Sequence, residues 1–129
     1  MKKSLLVALS LAVFTVPLQA KLIIKNENIP LEKLSPAQGM MSSNKNQPGL
    51  FDFPAPGQTK ELPAGGNYFD LIIMPENQNH ARCFLNKEDS DSVPYDQRKG
   101  VDAAANKTTT ITVKWTQGSD QLDCQVTQN

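Results

Sequence analysis

Residues Thr108–Trp115 read Thr-Thr-Thr-Ile-Thr-Val-Lys-Trp, a run built largely from β-branched side chains. Small or apolar positions alternate with polar ones at a period of two, which predicts a strand with one buried face. That face is expected to consist of Thr109, Ile111, Val113 and Trp115. A turn over residues 117–120 leads into a second strand, Leu122–Thr127, so this part of the sequence predicts a hairpin.

Further runs upstream have the composition of strands and are separated by turn signals. The predicted strands are Lys21–Asn26, Lys60–Leu62, Tyr68–Met74 and His80–Asn86, with a short edge strand at 51–53. In the first of these the apolar residues are consecutive, so we expect it to be buried on both faces. Residues 35–59 are rich in Pro, Gly, Asn, Gln and Ser, which predicts either a long loop or strands broken by turns.

This series of short strands without a helical pattern predicts an all-β domain. An antiparallel β-sandwich of immunoglobulin-like size fits the strand number, and a small β-barrel is the alternative. The two cysteines, Cys83 and Cys124, both fall in predicted strands, and in an exported chain they predict one disulfide. Such a bond would close a loop of about forty residues and stabilise the fold by about 3–4 kcal/mol.

The beginning of the chain has the organisation of a secretory signal peptide. Two lysines precede an apolar run at 5–16, and a cleavage site follows at Ala20. The apolar run is too short for a membrane span, which needs about 20 residues, and no later run is long enough. We therefore expect a signal peptide at 1–20 and a single domain at 21–129. The product would be periplasmic or secreted, with no transmembrane segment, and the leader is typical of bacterial ones.

The overall charge is balanced, with 13 Lys and Arg against 13 Asp and Glu. Removal of the leader leaves 11 basic against 13 acidic residues, a net charge of −2. A charge so close to zero gives no general attraction to polyanions. Nucleic acid is therefore not an expected partner, and binding to an anionic membrane would need a local basic patch.

Catalysis finds little support among the residue types present. His80 is the only histidine, so any Ser–His or Cys–His arrangement would have to use it. No Gly-x-Ser-x-Gly motif occurs, and the many acidic residues offer no preferred pair for glycoside hydrolysis. We therefore expect a protein that is not an enzyme. A small hydrolase that uses His80 or a carboxylate pair is the alternative.

An acidic segment at 88–91 reads Glu-Asp-Ser-Asp and is a candidate calcium-binding site. Asp89 and Asp91 have the spacing with which a calcium loop begins, but the glycine and glutamate that such a loop needs further on are missing. A solvated acidic loop is the preferred interpretation. No cofactor is expected, and calcium at Asp89 and Asp91 is the alternative.

Basic residues beside an aromatic one form the candidate ligand-binding set. Its members are Tyr95, Arg98, Lys99, Lys107 and Lys114. If they converge, they would suit a phosphorylated headgroup or an acidic glycan. The alternative is ordinary surface charge that nearby aspartates cancel.

These observations predict an exported, non-catalytic binding module that recognises a lipid headgroup or a glycan on a host or membrane surface. The first alternative is a periplasmic or extracellular inhibitor or accessory protein that binds a protein partner. The hydrolase is the second alternative. Loops at one end of the sandwich, or the segment 35–59, are the expected binding elements.

Overall fold

A computed structural model of the chain describes residues 20–44, 49–104 and 106–129. Within these ranges nine strands form two sheets, and the other regular structure is two single 3₁₀ turns at 31–33 and 95–97. In chain order the strands are β1 (Lys21–Asn26), β2 (Leu34–Ser43), β3 (Gly49–Asp52), β4 (Thr59–Leu62), β5 (Asn67–Pro75), β6 (Ala81–Phe84), β7 (Val101–Asp102), β8 (Thr108–Trp115) and β9 (Leu122–Gln128).

The two sheets pack together, which confirms the predicted all-β sandwich. No helix in the described part of the chain is long and apolar enough to cross a membrane. The predicted signal peptide, apart from Ala20, lies outside the described residues.

The first sheet has the strand order β4-β1-β8-β9. Strand β1 runs parallel to β8, whereas the β4–β1 and β8–β9 pairs are antiparallel. Parallel neighbours need a long crossover, and the chain provides one because it builds the second sheet between β1 and β8. The sandwich is therefore antiparallel except for this one pair among the described strands.

The second sheet has the order β3-β2-β5-β6, and the short β7 pairs with the start of β5. All of β2 except Leu34, and the whole of β3, lie in the segment 35–59. The alternative of strands broken by turns is therefore correct for that segment. The buried positions of β2 include Gly39 and Ser43, which are not hydrophobic, so the sequence of β2 does not show the alternation typical of a strand. The short edge strand predicted at 51–53 is present as β3, with the bounds Gly49–Asp52, and it pairs only with β2 among the described residues.

The core lies between the sheets. The predicted buried face of β8 is confirmed, since Thr109, Ile111, Val113 and Trp115 are all buried. The expectation that β1 is buried on both faces is wrong. Leu22 and Ile24 face the core, whereas Ile23 is half-buried and Lys25 exposed, because the outer face of this sheet is open to solvent.

An irregularity in β5 moves one aromatic ring out of this core. Ser42 pairs with Asp70 and Ser43 with Tyr68, so Phe69 is an extra residue between them, a β-bulge. The Tyr68 ring packs in the core cluster and its hydroxyl donates to the Pro63 carbonyl at 2.5 Å. Burial raises the pKa of the Tyr68 phenol. Phe69 instead packs beneath the segment that follows β6.

The disulfide Cys83–Cys124 is present, as predicted. It joins β6 to β9, each at the end of its sheet's strand order, with 6.1 Å between the two Cα atoms. Beside it the Arg82 amide donates to the Asp120 carbonyl at 3.1 Å. The two sheets are thus tied together along one side, and the candidate site lies on that side.

Candidate functional site

The segment 86–100 connects β6 to β7, and its two ends are held together by buried polar groups. The Asp89 carboxylate is 6% exposed and accepts hydrogen bonds from the amides of Lys99 at 2.9 Å and Gly100 at 2.8 Å. The Asn86 side-chain amide donates to the Gly100 carbonyl at 2.9 Å. Gly100 has φ +62°, and a Cβ there would lie 2.6 Å from the Tyr68 carbonyl oxygen, so only glycine fits. We call this segment the 86–100 loop.

A cluster of arginine and aromatic side chains lies where this loop meets β5 and β6. The Arg82 guanidinium lies 4.6 Å from the centre of the Phe84 ring, and that of Arg98 lies 5.1 Å from it. Arg98 also approaches the Tyr95 ring, at 5.7 Å. Tyr95 packs edge-on against the buried Phe69, with ring centres 5.3 Å apart. These contacts hold an exposed aromatic ring in one position, because each is favourable and directional.

Two cations of this region, Arg82 and Lys99, are paired with carboxylates. Arg82 forms an ion pair with Asp91 and lies 3.9 Å from the buried Asp70, which also accepts a hydrogen bond from the Ser42 hydroxyl at 2.5 Å. Lys99 pairs with Glu88 at 3.0 Å, but both side chains are exposed, so this pair contributes little to stability. The surface around the cluster is therefore of mixed charge.

A cavity of about 420 Å³ opens on the disulfide side of the sandwich, between β6 and the residues at the start of β9. Its lining is mainly polar and includes His80, Lys87, Asp120 and Asp123. The side chains of these four residues make no hydrogen bond or ion pair with any other residue that the structure describes. The same cavity also touches Phe84, so it adjoins the arginine–aromatic cluster. We call this cavity the groove.

The structure divides the five predicted ligand-binding residues. Tyr95, Arg98 and Lys99 lie together in the 86–100 loop, where the Arg98 Nε donates to the Val93 carbonyl at 3.2 Å. Lys107 precedes β8, whereas Lys114 lies near its end and pairs with Glu27 at 3.2 Å. Seven strand residues span roughly 23 Å, so Lys107 and Lys114 cannot meet on one small ligand. Ligand binding by Tyr95, Arg98 and Lys99 stays a prediction.

The acidic segment gives calcium no obvious ligand set. The oxygens of Asp89 accept two backbone amides, and Asp91 is paired with Arg82. Among the residues described, no group of three or more His, Cys, Asp or Glu side chains is arranged to hold a metal ion. Asp89 is buried and holds the two ends of the 86–100 loop together. The expectation of a solvated acidic loop is therefore wrong for this residue.

His80 is exposed at the start of β6 and lines the groove. A catalytic histidine is normally oriented by a second hydrogen-bonding group, and its ring has no such partner among the described residues. The hydrolase alternative stays a prediction.

Several site residues escaped the sequence-based prediction. Arg82 and Phe84 flank Cys83, and strand periodicity places them on the face opposite the disulfide, so their pairing on the outer face could have been anticipated. Phe69 is reached only through the bulge, and Asp120 through the turn that precedes β9. The bulge leaves no signal in the local sequence, and the predicted turn over residues 117–120 does not reveal that Asp120 lies beside β6.

The fold and the site define a disulfide-linked β-sandwich with a polar, partly aromatic surface along one side. Comparison with known protein families, with curated proteins and with solved structures found no match to this chain.

Proposed function

We propose that this protein is a non-catalytic binding module that recognises a glycan through Tyr95 and the groove. The observation that carries the proposal is the Tyr95 ring, which is 52% exposed yet fixed by Phe69 and Arg98. A rigid exposed aromatic ring loses little entropy on binding and offers a flat apolar face for a sugar ring to stack on. The adjoining groove adds hydrogen-bonding groups of both charges and has the volume of a small-ligand site.

A glycan is favoured over an anionic lipid headgroup because of the charges around the ring. Arg82 and Lys99 are already paired with carboxylates, and in the groove the unpaired Lys87 is outnumbered by the unpaired Asp120 and Asp123. A phosphate group approaching this surface would be repelled as much as attracted. A neutral or amino-substituted sugar can use both the carboxylates and the amino groups as hydrogen-bonding partners.

The disulfide supports an oxidising compartment for this activity. Together with the predicted leader at 1–20, it supports the proposal that the protein is exported, to the periplasm or beyond the cell. A bacterial module that attaches to surface polysaccharide fits both properties.

The test is binding of the chain, expressed with its leader, to an array of neutral, amino-substituted and acidic oligosaccharides. Liposomes with neutral and anionic headgroups are tested in parallel at low and moderate salt. We expect oligosaccharide binding that Tyr95→Ala weakens by about tenfold or more, as for loss of an anchoring aromatic residue. Asp123→Asn should weaken it less, since the amide keeps an acceptor oxygen and only the charge is lost.

The matched control is Leu50→Ala, which removes the other exposed large hydrophobic side chain among the described residues and should leave binding unchanged. Binding to anionic liposomes alone, fading with salt, would overturn the glycan proposal in favour of a headgroup. Binding to neither ligand would overturn both and favour a protein partner.

A further inference from the structure

The four strands that end the strand orders of the two sheets differ in how their edges are protected. Strands β3, β4 and β6 have four residues each. Strand β4 carries exposed Lys60 and Glu61, and β6 is bridged to the residues before β9. Short length, charge and cover are the usual devices that prevent a sheet edge from pairing with another chain. Strand β9 lacks most of them.

Strand β9 has seven residues and contains no proline, lysine or arginine. It pairs residue for residue with β8 without a register shift, so no bulge turns its edge away. Its last residue is also anchored, because the Gln128 side-chain amide donates to the Asp102 carbonyl at 2.6 Å and to the Thr109 hydroxyl at 3.1 Å. Beyond the bridge at Gln121, β9 has no second neighbouring strand among the described residues.

We propose that β9 pairs with β9 of a second copy of this chain, antiparallel and about a two-fold axis. Two four-stranded sheets would then join into one continuous sheet. The register in which all seven residues pair is centred on Gln125, the middle residue of Leu122–Gln128. This proposal concerns assembly and does not depend on the glycan proposal.

The side chains of β9 are complementary to themselves in this register. Asp123 faces Thr127 of the second copy, and Gln125 faces its own counterpart, so two amides can hydrogen-bond across the axis. No like charges stand opposite each other, and the near-neutral chain adds little long-range repulsion. An acceptor and a donor thus meet at each outward position.

Space for a neighbouring strand exists beside β9. A cavity of about 470 Å³ runs along residues 123–127 and is also lined by Leu85 and Lys87. On the inward side Val126 is only partly buried, because β6 ends at Phe84 and does not reach it. An added strand would cover Val126 and satisfy the backbone groups of the open edge.

The test is sedimentation equilibrium of the full chain over a wide concentration range, without added ligand. We expect a reversible dimer that Gln125→Lys weakens by about tenfold or more, because two like-charged side chains would face each other from Cβ atoms about 5 Å apart. Gln125→Glu alone should weaken it similarly. An equimolar mixture of the two variants should restore association, since opposite charges then face each other.

The matched control is Gln117→Lys, which adds the same charge in the exposed turn before β9 and should leave the dimer intact. An unchanged unfolding midpoint would show that the lysine and glutamate variants are folded. A wild-type chain that is monomeric at every concentration would overturn the proposal. So would a Gln125→Lys chain that dimerises normally, or variants whose mixture fails to associate.

Discussion

The Asp89 carboxylate organises the candidate site, and it also lines the groove. It is buried among backbone amides that would otherwise lack partners, and it brings Lys99 and Gly100 back to the start of the 86–100 loop. A buried carboxylate with two amide donors is well compensated for its loss of water. The position of the Tyr95 ring therefore depends on a residue several positions away.

We predict that Asp89→Ala lowers the free energy of unfolding by about 2–3 kcal/mol, because two buried amides lose their acceptor. Chemical denaturation with a two-state fit measures the change. The control in the same loop is Asp96→Ala, since Asp96 is exposed and its carboxylate has no partner among the described residues. It should change stability by less than about 0.5 kcal/mol. Equal effects of the two variants would contradict this role of Asp89.

The pairing of β2 with β3 depends on a glycine in the middle of β2. Gly39 sits in the middle of β2, and a Cβ there would lie 2.5 Å from the Cζ atom of Phe51. Phe51 is buried, so its ring fills the place that a side chain at position 39 would occupy. The glycine is therefore required at this position in β2, although glycine is typical of loops in a sequence.

We predict that Gly39→Ala destabilises the protein by about 1–3 kcal/mol, the usual cost of overpacking a buried ring. The control is a double-mutant cycle with Phe51→Leu, which removes the ring atoms that the new Cβ would meet. The two changes should then be clearly non-additive, with the double variant more stable than the sum of the single effects implies. Additive effects would show that the contact does not limit position 39.

The disulfide joins the two sheets of the molecule at β6 and β9. The direct backbone link described on this side is the Arg82–Asp120 hydrogen bond. Loss of the covalent bond would leave the β6–β9 side held by this hydrogen bond and by packing. Both the proposed glycan site and the proposed dimer edge lie along this side.

We predict that the double variant Cys83→Ala, Cys124→Ala unfolds with a free energy about 3–4 kcal/mol smaller than the wild type, on the chain-entropy model. Denaturation of the reduced wild type should give a similar loss, which separates the cross-link from the loss of sulfur packing. A loss below about 1 kcal/mol in both cases would contradict the role assigned to the bond. Alkylation without reductant should leave the intact mass of the wild type unchanged.

Much of the fold could be predicted from local pattern. The alternation in β8, the hairpin with β9 and the disulfide are confirmed because each depends on neighbours in the chain or on a single possible cysteine pair. The sequence does not distinguish strand β2 from a loop, since Gly39 and Ser43 carry no hydrophobic signal. The one-sided burial of β1 was missed because its apolar run does not reveal which sheet face is covered.

The candidate site depended on the tertiary structure. Tyr95, Arg98 and Lys99 are close in sequence and remain together, whereas Lys107 and Lys114 are separated by the length of β8. Arg82 and Phe69 join the site through strand pairing and a bulge. Sequence periodicity determines which face of a strand is apolar, because side-chain direction is a local property. Which strands become neighbours is decided by burial over the whole chain, and the surface that results is a consequence of that packing.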